Sequence, residues 1–511
     1  MKKNIVLNRI CPQVRWERLF AFGVLGFLVS CLIGRIVPLR WNDLYKVYGP
    51  TLICALAGAY FAKNGLKACL EVKLYLAYTA WLLVSRWLNR DFYLFVDFRQ
   101  LINAVTFFIF LVSCTVLSGE DRRAFFDIIC FVYIGFYLAV ALIGIFIFLT
   151  DTYLHIPPEN IWFTIFRDEL LLSLNALSVG RLSTALRTLT AMGLVMYQFF
   201  RRRAVIPRVL LMMCLLAFIA VLGLCHGRTA FISASCCFVM FVLLLLIPRF
   251  GNRGALFRLA ILPAAAVISL LLFYKSFDVS NNIIISLRTV TVPAFEDFYS
   301  RHDAWFDEEH FGTRRMSAIM NEGANLPKST EAKAAGKPES TAAASIVDTR
   351  KLIGNWTLTG RTDIWRAGFI SLRQRPLTLL TGALSNDIVP EVNRIIHLYI
   401  SPTDKAYILH MHSSFMQVLM MTGLPGLLLF LGFFASLVFR MLKIYFSGAD
   451  TVPSYLKALT IPITGAIIAS FAEPILFYLS NESTYTVFLC MGFFLAEYGE
   501  LTEAGQPGRE V

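Results

Sequence analysis

IICFVYIGFYLAVALIGIFIFL, residues 128–149, is a run of 22 amino acids without one charged side chain. About 20 predominantly apolar residues in a helix span the hydrocarbon core of a bilayer. A helix satisfies all its own main-chain hydrogen bonds, which makes it one of the few structures that cross lipid. The run therefore predicts a membrane-spanning helix.

The same composition extends over the whole chain. Of its 511 residues, 57% are hydrophobic and 16% are charged, whereas ordinary soluble domains carry about 25% charged residues. A soluble fold is thereby excluded. The sequence predicts an all-α polytopic membrane bundle of about twelve transmembrane helices, near residues 19–37, 45–62, 74–88, 98–118, 125–149, 182–200, 209–225, 229–247, 259–277, 424–440, 458–478 and 484–498.

Basic residues between the apolar runs predict the orientation, because cytoplasmic loops carry an excess of Lys and Arg. The N-terminal stretch, residues 1–20, is basic and lacks a small-residue cleavage site before the first apolar run, so we interpret that run as a retained span. With both termini in the cytoplasm, every strongly basic short loop lies inside: Lys63, Lys67, Arg122, Arg123, Arg201, Arg202, Arg203, Arg208, Arg249, Arg253, Arg258, Arg440 and Lys443.

The charge balance and the cysteines exclude other classes of protein. Lys plus Arg number 47 against 34 Asp plus Glu, a surplus that in a soluble chain would suggest a nucleic-acid partner. Here the surplus follows the membrane topology, and we predict no nucleic-acid binding. Most of the 11 cysteines lie within apolar runs and none forms a C-x-x-C pair, so neither a disulfide framework nor a zinc site is predicted.

This orientation divides the chain into four parts. Residues 1–278 are predicted to form an N-terminal bundle of about nine helices, and residues 279–423 one large, mainly helical loop on the outer face. Residues 424–498 return to the membrane, and residues 499–511 form a cytoplasmic tail. Within the loop, residues 325–345 are rich in Ala, Ser, Lys and Pro, which predicts a disordered insert.

Three motifs at the predicted outer face are candidates for chemistry. The first, CHGRTAF at residues 225–231, is the whole connection between two spans and holds Arg228 at the membrane edge. A guanidinium offers a planar fork of donors that matches phosphate oxygens. The alternative is an arginine that extends its charged end toward water or caps a helix.

The second motif is LTGRTDIWRAGF, residues 358–369. The pattern predicts a short helix that starts at Asp363 and ends before Pro376. Arg361 would then lie just before a helix N-terminus, whose free N–H groups already favour an anion. The alternative is a solvated arginine beside a packed Trp365.

The third motif is LHMHSSFMQVLMMTGLPGLLLFLGFF, residues 409–434. His410 and His412 precede an amphipathic stretch, and two histidines two positions apart on a helix do not share a face, so no metal site is predicted. A neutral imidazole near the outer surface is suited to act as a general base for a hydroxyl. The alternative is a polar helix start capped by Ser413 or Ser414.

Ionisable residues inside predicted spans are functional candidates by default. Glu473 precedes Pro474 within one span, and Arg187 lies one to two turns into another. For Glu473 a helix kink with a hydrogen-bonded carboxyl is the alternative. The acidic stretch at residues 302–311 has cation-binding side chains, but we interpret it as a solvated helix face.

Taken in order, these features resemble the bacterial O-antigen ligase and O-antigen polymerase superfamily of integral-membrane glycosyltransferases, over residues 180–434. The chain departs from the family at Ser413, where members usually carry Asn after the histidine. The resemblance rests on Gly227-Arg228, a large loop between later spans, Gly360-Arg361 followed by Trp365, and His412 followed by Leu419, Gly423 and Gly426-Leu427.

The resemblance implies a GT-C-like fold and glycosyl transfer at the outer face of the bacterial cytoplasmic (inner) membrane. The donor would be a glycan on undecaprenyl pyrophosphate, and the acceptor a hydroxyl of a glycan, of lipid A-core or of another molecule such as a protein side chain. In this interpretation His412, with His410 in reserve, accepts the hydroxyl proton, and Arg228, Arg361 and Arg187 bind the pyrophosphate. Transfer would be direct and inverting, without a metal or another cofactor.

Several alternatives stay open at this level. Polymerase and ligase differ only in the acceptor, and polymerisation is slightly favoured because its acceptor needs no second pathway. A transporter or flippase of lipid-linked glycans is the rival from another class, and it would place paired polar groups near the membrane midplane. A non-catalytic assembly protein on the same scaffold is the third.

Overall fold

The structure is a computed structural model. It describes residues 16–33, 69–89, 96–150, 181–225, 228–246, 255–291, 361–383, 385–396, 410–446, 452–476 and 482–504, together with isolated positions between 49 and 61. The predicted disordered insert at 325–345 and the acidic stretch at 302–311 lie outside these residues.

Within these ranges the chain is helical and forms no strand, which confirms the predicted all-α class. The helices are named in chain order: α1 Trp16–Ile33, α2 Leu70–Leu88, α3 Val96–Val116, α4 Gly119–Thr150, α5 Arg181–Arg201, α6 Val205–Leu224, α7 Arg228–Leu246, α8 Ala255–Thr291, α9 Arg361–Gln374, α10 Thr378–Thr381, α11 Ser385–Ile395, α12 Ser414–Phe446, α13 Ser454–Ser470 and α14 Glu482–Ala504.

Five of the described helices contain segments long and apolar enough to cross a membrane, and the chain is an integral membrane protein. The twelve-span count and the GT-C-like fold stay predictions, because other helices are shorter or carry more polar residues. Helix α8 runs on to Thr291, past the predicted boundary at 278. The five segments are Gly119–Phe146, Val205–Leu224, Thr229–Leu246, Pro263–Ser280 and Ser414–Tyr445.

The centre of the bundle is built from α3, α5, α13 and α14, where α14 packs along α3 and α13 along α5. Helix α5 buries polar side chains that include Arg187, Thr190 and Gln198, because it faces other helices rather than lipid. Helices at the periphery instead expose large apolar side chains, such as Phe131 on α4, which is 78% exposed. The lipid-facing surface is therefore outside and the polar groups are inside.

One end of the bundle gathers basic residues that the sequence assigns to the cytoplasm. The carboxylate of Glu497 on α14 is 2% exposed and accepts hydrogen bonds from Arg122, Arg123 and the hydroxyl of Tyr455. Arg201 lies over the ring of the same tyrosine. Tyr455 lies in the first turn of α13, so groups that follow the last residue of α13 belong to the opposite end of the bundle.

At that opposite end, α12 is broken where it meets α10. Gly423 inside α12 has φ +68° and Gly382, just after α10, has φ +70°. The two backbones touch, and the N–H of Ala383 donates to the carbonyl of Met420 at 2.9 Å. Side chains of α2 hydrogen-bond to the carbonyls of this junction: Trp81 to Thr422 at 2.8 Å, Ser85 to Thr381 at 2.5 Å and Arg86 to Ala383 at 3.1 Å.

Replacing Gly423 by Ala should destabilise the protein. A left-handed backbone costs an L-residue roughly 1–2 kcal/mol, and the new Cβ would lie 2.5 Å from the carbonyl oxygen of Leu380. Thermal unfolding in detergent measures the effect. The matched control is Gly432→Ala in the same helix, whose Cβ would contact only Leu74 at 3.9 Å and should be tolerated; equal melting temperatures for the two variants would contradict the prediction.

Candidate functional site

Four chain segments distant in sequence meet at the end of the bundle opposite Glu497. They are the start of α7, the start of α9, residues 410–414 before and at the start of α12, and residues 471–476 after α13. Three of these segments carry the motifs singled out in the sequence. The fourth carries Glu473.

Helix α9 explains the spacing of the second motif. It begins at Arg361 rather than at the predicted Asp363, and it ends at Gln374, before Pro376. Arg361 and Trp365 are four residues apart and lie on one face of the helix. The indole N–H of Trp365 donates to the carbonyl of Met411 at 2.9 Å. This hydrogen bond joins the second motif to the histidines of the third.

Residues 410–413 precede α12 and are held by short-range hydrogen bonds. Gln417 accepts from the N–H of Met411 at 2.8 Å. The Oγ of Ser413 accepts from the N–H of Met416 at 3.4 Å, which is the geometry of an N-terminal cap. Ser413 therefore caps the helix at the position where the resembled family usually has Asn.

His412 itself adopts an unusual backbone. Its φ is +49°, in the left-handed region that a residue with a side chain rarely enters. Such conformations persist only where the surroundings enforce them, and they concentrate at functional sites. The backbone of this histidine is thus specified by the fold.

Glu473 lies at the centre of the cluster. Its side chain is 1% exposed, and its backbone is fixed by the Oγ of Ser414, which donates to the Glu473 carbonyl at 3.1 Å. The same Oγ accepts from the N–H of Leu476 at 3.1 Å. The first residue of α12 therefore clamps the segment that carries the carboxylate.

The carboxylate of Glu473 has a cationic or basic group on each oxygen. Oε1 forms a buried ion pair with the guanidinium of Arg361. Oε2 lies 3.7 Å from Nδ1 of His412. The guanidinium also donates to Oγ1 of Thr229, at the start of α7, at 3.2 Å. Arg361, His412 and Glu473 therefore form one connected cluster.

His410 is packed against His412, with ring centroids 4.2 Å apart. Its Nδ1 accepts from the backbone N–H of His412 at 3.2 Å. Burial, together with the nearby His412 and Arg361, lowers the pKa of His410 from 6.5 to about 3. His410 is therefore neutral near pH 7 and a weak proton acceptor, which favours His412 as the base.

The other two predicted arginines differ in what the structure describes. Arg228 is the first residue of α7, next to Thr229, and its side chain lies outside the described part of the chain. Arg187 is 4% exposed and forms an ion pair with Glu482 at 2.5 Å, and this carboxylate also accepts from the hydroxyl of Tyr137 at 2.5 Å. Arg187 thus belongs to a second buried cluster.

In the sequence, Glu473 is compatible with a helix kink or with a functional carboxylate, and Glu482 lies outside the motifs that mark candidates. Both carboxylates flank one connection, between α13 and α14, and each pairs with one of the predicted arginines. The sequence feature that could have identified Glu473 and Glu482 is the position of each carboxylate at the edge of an apolar run. Among the residues that the structure describes, no three His, Cys, Asp or Glu side chains are grouped as a metal site.

The pKa of His410, which lies outside the spanning segment Ser414–Tyr445, makes folding stability depend on pH. The folded-state pKa is about 3 and the ordinary value 6.5, so on acidification the unfolded chain takes up the proton first. Stability present above pH 6.5 is therefore lost as the pH falls toward 3. Unfolding in detergent at a series of pH values measures the slope.

His410→Gln, which does not titrate, should show a slope smaller by up to about 1.4 kcal/mol per pH unit. An unchanged slope would show that His410 does not cause the acid sensitivity.

Residues 212–431 match a protein-family model described as O-antigen ligase. The matched segment contains Arg228, Arg361 and His412 and ends before Glu473. A search of curated proteins found no match to the chain.

Proposed function

We propose that this chain belongs to the O-antigen ligase and O-antigen polymerase superfamily, in line with the family model that matches residues 212–431. In this proposal it transfers or polymerises a glycan from undecaprenyl pyrophosphate onto an acceptor hydroxyl at the outer face of the bacterial cytoplasmic membrane. One observation carries the proposal. Arg361 and His412, which belong to two separate motifs, converge on one buried carboxylate beside Thr229.

The guanidinium groups serve the leaving group. When the bond between C1 of the sugar and the pyrophosphate oxygen breaks, negative charge grows on the pyrophosphate, and prearranged cations stabilise it. Arg361 supplies one such cation, and Arg228, next to the Thr229 that Arg361 contacts, supplies a second. Each charge-assisted hydrogen bond contributes about 1.5–3 kcal/mol. Arg187, which the sequence also assigned to the pyrophosphate, instead pairs with Glu482 in the second buried cluster.

His412 serves the acceptor. Its Nδ1 faces Glu473, which leaves Nε2 to take the proton from the attacking hydroxyl. The Glu473 oxygens face Arg361 and His412, so this carboxylate is not placed as a nucleophile toward C1. The proposed reaction is therefore a direct displacement with inversion, in which arginines take the role that a divalent metal has in other glycosyltransferases. The acceptor is another lipid-linked glycan in a polymerase and lipid A-core in a ligase.

His412→Ala should leave the protein folded and inserted but lower the rate of transfer by roughly 10²–10⁴-fold, the usual contribution of a positioned general base. The assay uses purified protein with a synthetic lipid-pyrophosphate glycan and follows product formation. Wild-type transfer by this variant would remove His412 from the mechanism. Movement of the glycan across vesicles without any new glycosidic bond would support the transporter instead.

Arg361→Lys should reduce kcat/KM by roughly 10- to 100-fold, because the loss of a bidentate contact of about 1.5–3 kcal/mol corresponds to that range and Lys lacks the planar fork. Arg366→Lys is the matched control, since Arg366 lies on the same helix and is exposed. Equal activity of the two variants would contradict a role of Arg361 in binding the pyrophosphate.

A further inference from the structure

We infer that Glu473 is a positioning residue that alternates between two partners, an inference that rests on the proposed function. It holds Arg361 while the donor site is empty. It hydrogen-bonds to the imidazole of His412 once a pyrophosphate has taken over the guanidinium. Donor binding thereby lets Glu473 orient the imidazole of His412 as the base.

The carboxylate of Glu473 is paired with Arg361 and lies close to His412 without a hydrogen bond to it. Oε1 is in the ion pair with Arg361, whereas Oε2 is 3.7 Å from Nδ1 of His412, longer than the roughly 3.2 Å of a good hydrogen bond. Both Oε2 and Nδ1 are buried and lack a hydrogen-bond partner among the described residues. Leaving two such atoms unpaired is unfavourable, and a small shift of the carboxylate would pair them.

Only the side chain has to move. The backbone of Glu473 is held at its N–H, which donates to the carbonyl of Ala469 at 2.9 Å, and at its carbonyl, which accepts from Ser414. His412 is likewise anchored through the residues on either side, by Trp365 at Met411 and by the cap at Ser413. A rotation of the carboxyl group is therefore the available motion.

A pyrophosphate is the natural competitor for Arg361. It carries more negative charge than one carboxylate, and its oxygens accept bidentate hydrogen bonds from a guanidinium. The side chain of Arg361 is 13% exposed and that of Glu473 is 1% exposed, so the guanidinium is the more accessible member of the pair. The exchange offsets part of the charge of the incoming anion and frees the carboxylate to hydrogen-bond to His412.

The freed carboxylate then supports the chemical step. The acceptor oxygen forms a bond to C1 of the sugar, the bond from C1 to the pyrophosphate oxygen breaks, and its electron pair leaves with the pyrophosphate. The hydroxyl proton passes to Nε2 of His412, and the Nδ1–H of the resulting imidazolium donates to Glu473. A carboxylate in this position fixes the ring and stabilises the cation, as in other His-dependent enzymes.

Glu473→Gln separates this role from a structural one, because it should tighten binding while it slows transfer. The amide holds Arg361 less strongly, so the affinity for undecaprenyl pyrophosphate, measured on the purified full-length protein in lipid nanodiscs, should rise about 3- to 10-fold. Transfer at saturating lipid-linked glycan should fall at least about 10-fold, in line with the loss of a group that orients a base.

Combining Glu473→Gln with a substitution of each partner tests whether its effects depend on Arg361 and on His412. With Arg361→Gln the gain in affinity should vanish, whereas a general electrostatic effect of the lost charge would persist. With His412→Ala the Gln substitution should cause no further loss of transfer, because interacting residues are not additive. Glu497→Gln is the matched control, a buried carboxylate paired with arginines at the other end, and it should leave affinity for undecaprenyl pyrophosphate unchanged.

The inference is overturned if Glu473→Gln transfers as the wild type does, or if its affinity for undecaprenyl pyrophosphate falls or stays the same. If Glu473→Gln does not fold, Glu473→Asp replaces it: the charge remains, but the shorter side chain cannot reach both partners, so transfer should fall without a gain in affinity. Wild-type transfer by Glu473→Asp would overturn the inference.

The proposed function can fail separately from this inference. If the wild-type protein forms no glycosidic bond, the proposed function is wrong. The affinity measurements would still show whether a pyrophosphate competes with Glu473 for Arg361.

Discussion

The buried ion pair between Arg361 and Glu473 is the interaction on which the arrangement of this end of the protein depends. It connects a helix of the loop region to the segment between the last two helices, across 112 positions of sequence. Taking both groups out of water is costly, and removing one partner of such a pair typically costs about 3–5 kcal/mol. The pair joins the second motif to the segment of Glu473 and, through the same carboxylate, to His412.

Neutral hydrogen bonds hold in place the chain segments that surround the ion pair. Trp365 reaches the backbone between the two histidines, Ser413 caps the helix that follows, and Ser414 holds the segment of Glu473. Each bond alone contributes about 0.5–1.5 kcal/mol. Together they hold α9, residues 410–414 and residues 471–476 against one another, although these segments are far apart in the sequence. The precision of the cluster comes from this support and not from the charged groups alone.

Much of the architecture follows from the sequence, and part of it does not. Apolar runs predict the helices because a lipid-facing surface must be apolar, as on α4 and α6. Helix α5 shows the limit of that rule, since its arginine and threonines face protein and its polarity follows from partners that lie far along the chain. Apolar runs therefore predict where the helices lie, α5 at Arg181–Arg201 included, but not which of its side chains face protein.

The candidate site shows the same division. Motif order predicted that Arg361 and His412 belong together, because their residue types match phosphate binding and proton transfer. The central place of Glu473 was not predictable, since an acid before a proline has several uses and only the fold shows which groups its two oxygens meet. Arg187 likewise has a partner, Glu482, that no local pattern identifies.

The junction of α2, α10 and α12 has a mechanical consequence for Arg361. Main-chain contacts at Gly382 and Gly423, with hydrogen bonds from α2, hold the turn that follows α9 against the bundle. A motion that carried α9 away from the bundle would have to strain these contacts. The backbone of α10 and α12 thus bears the load when an anion pulls on the guanidinium.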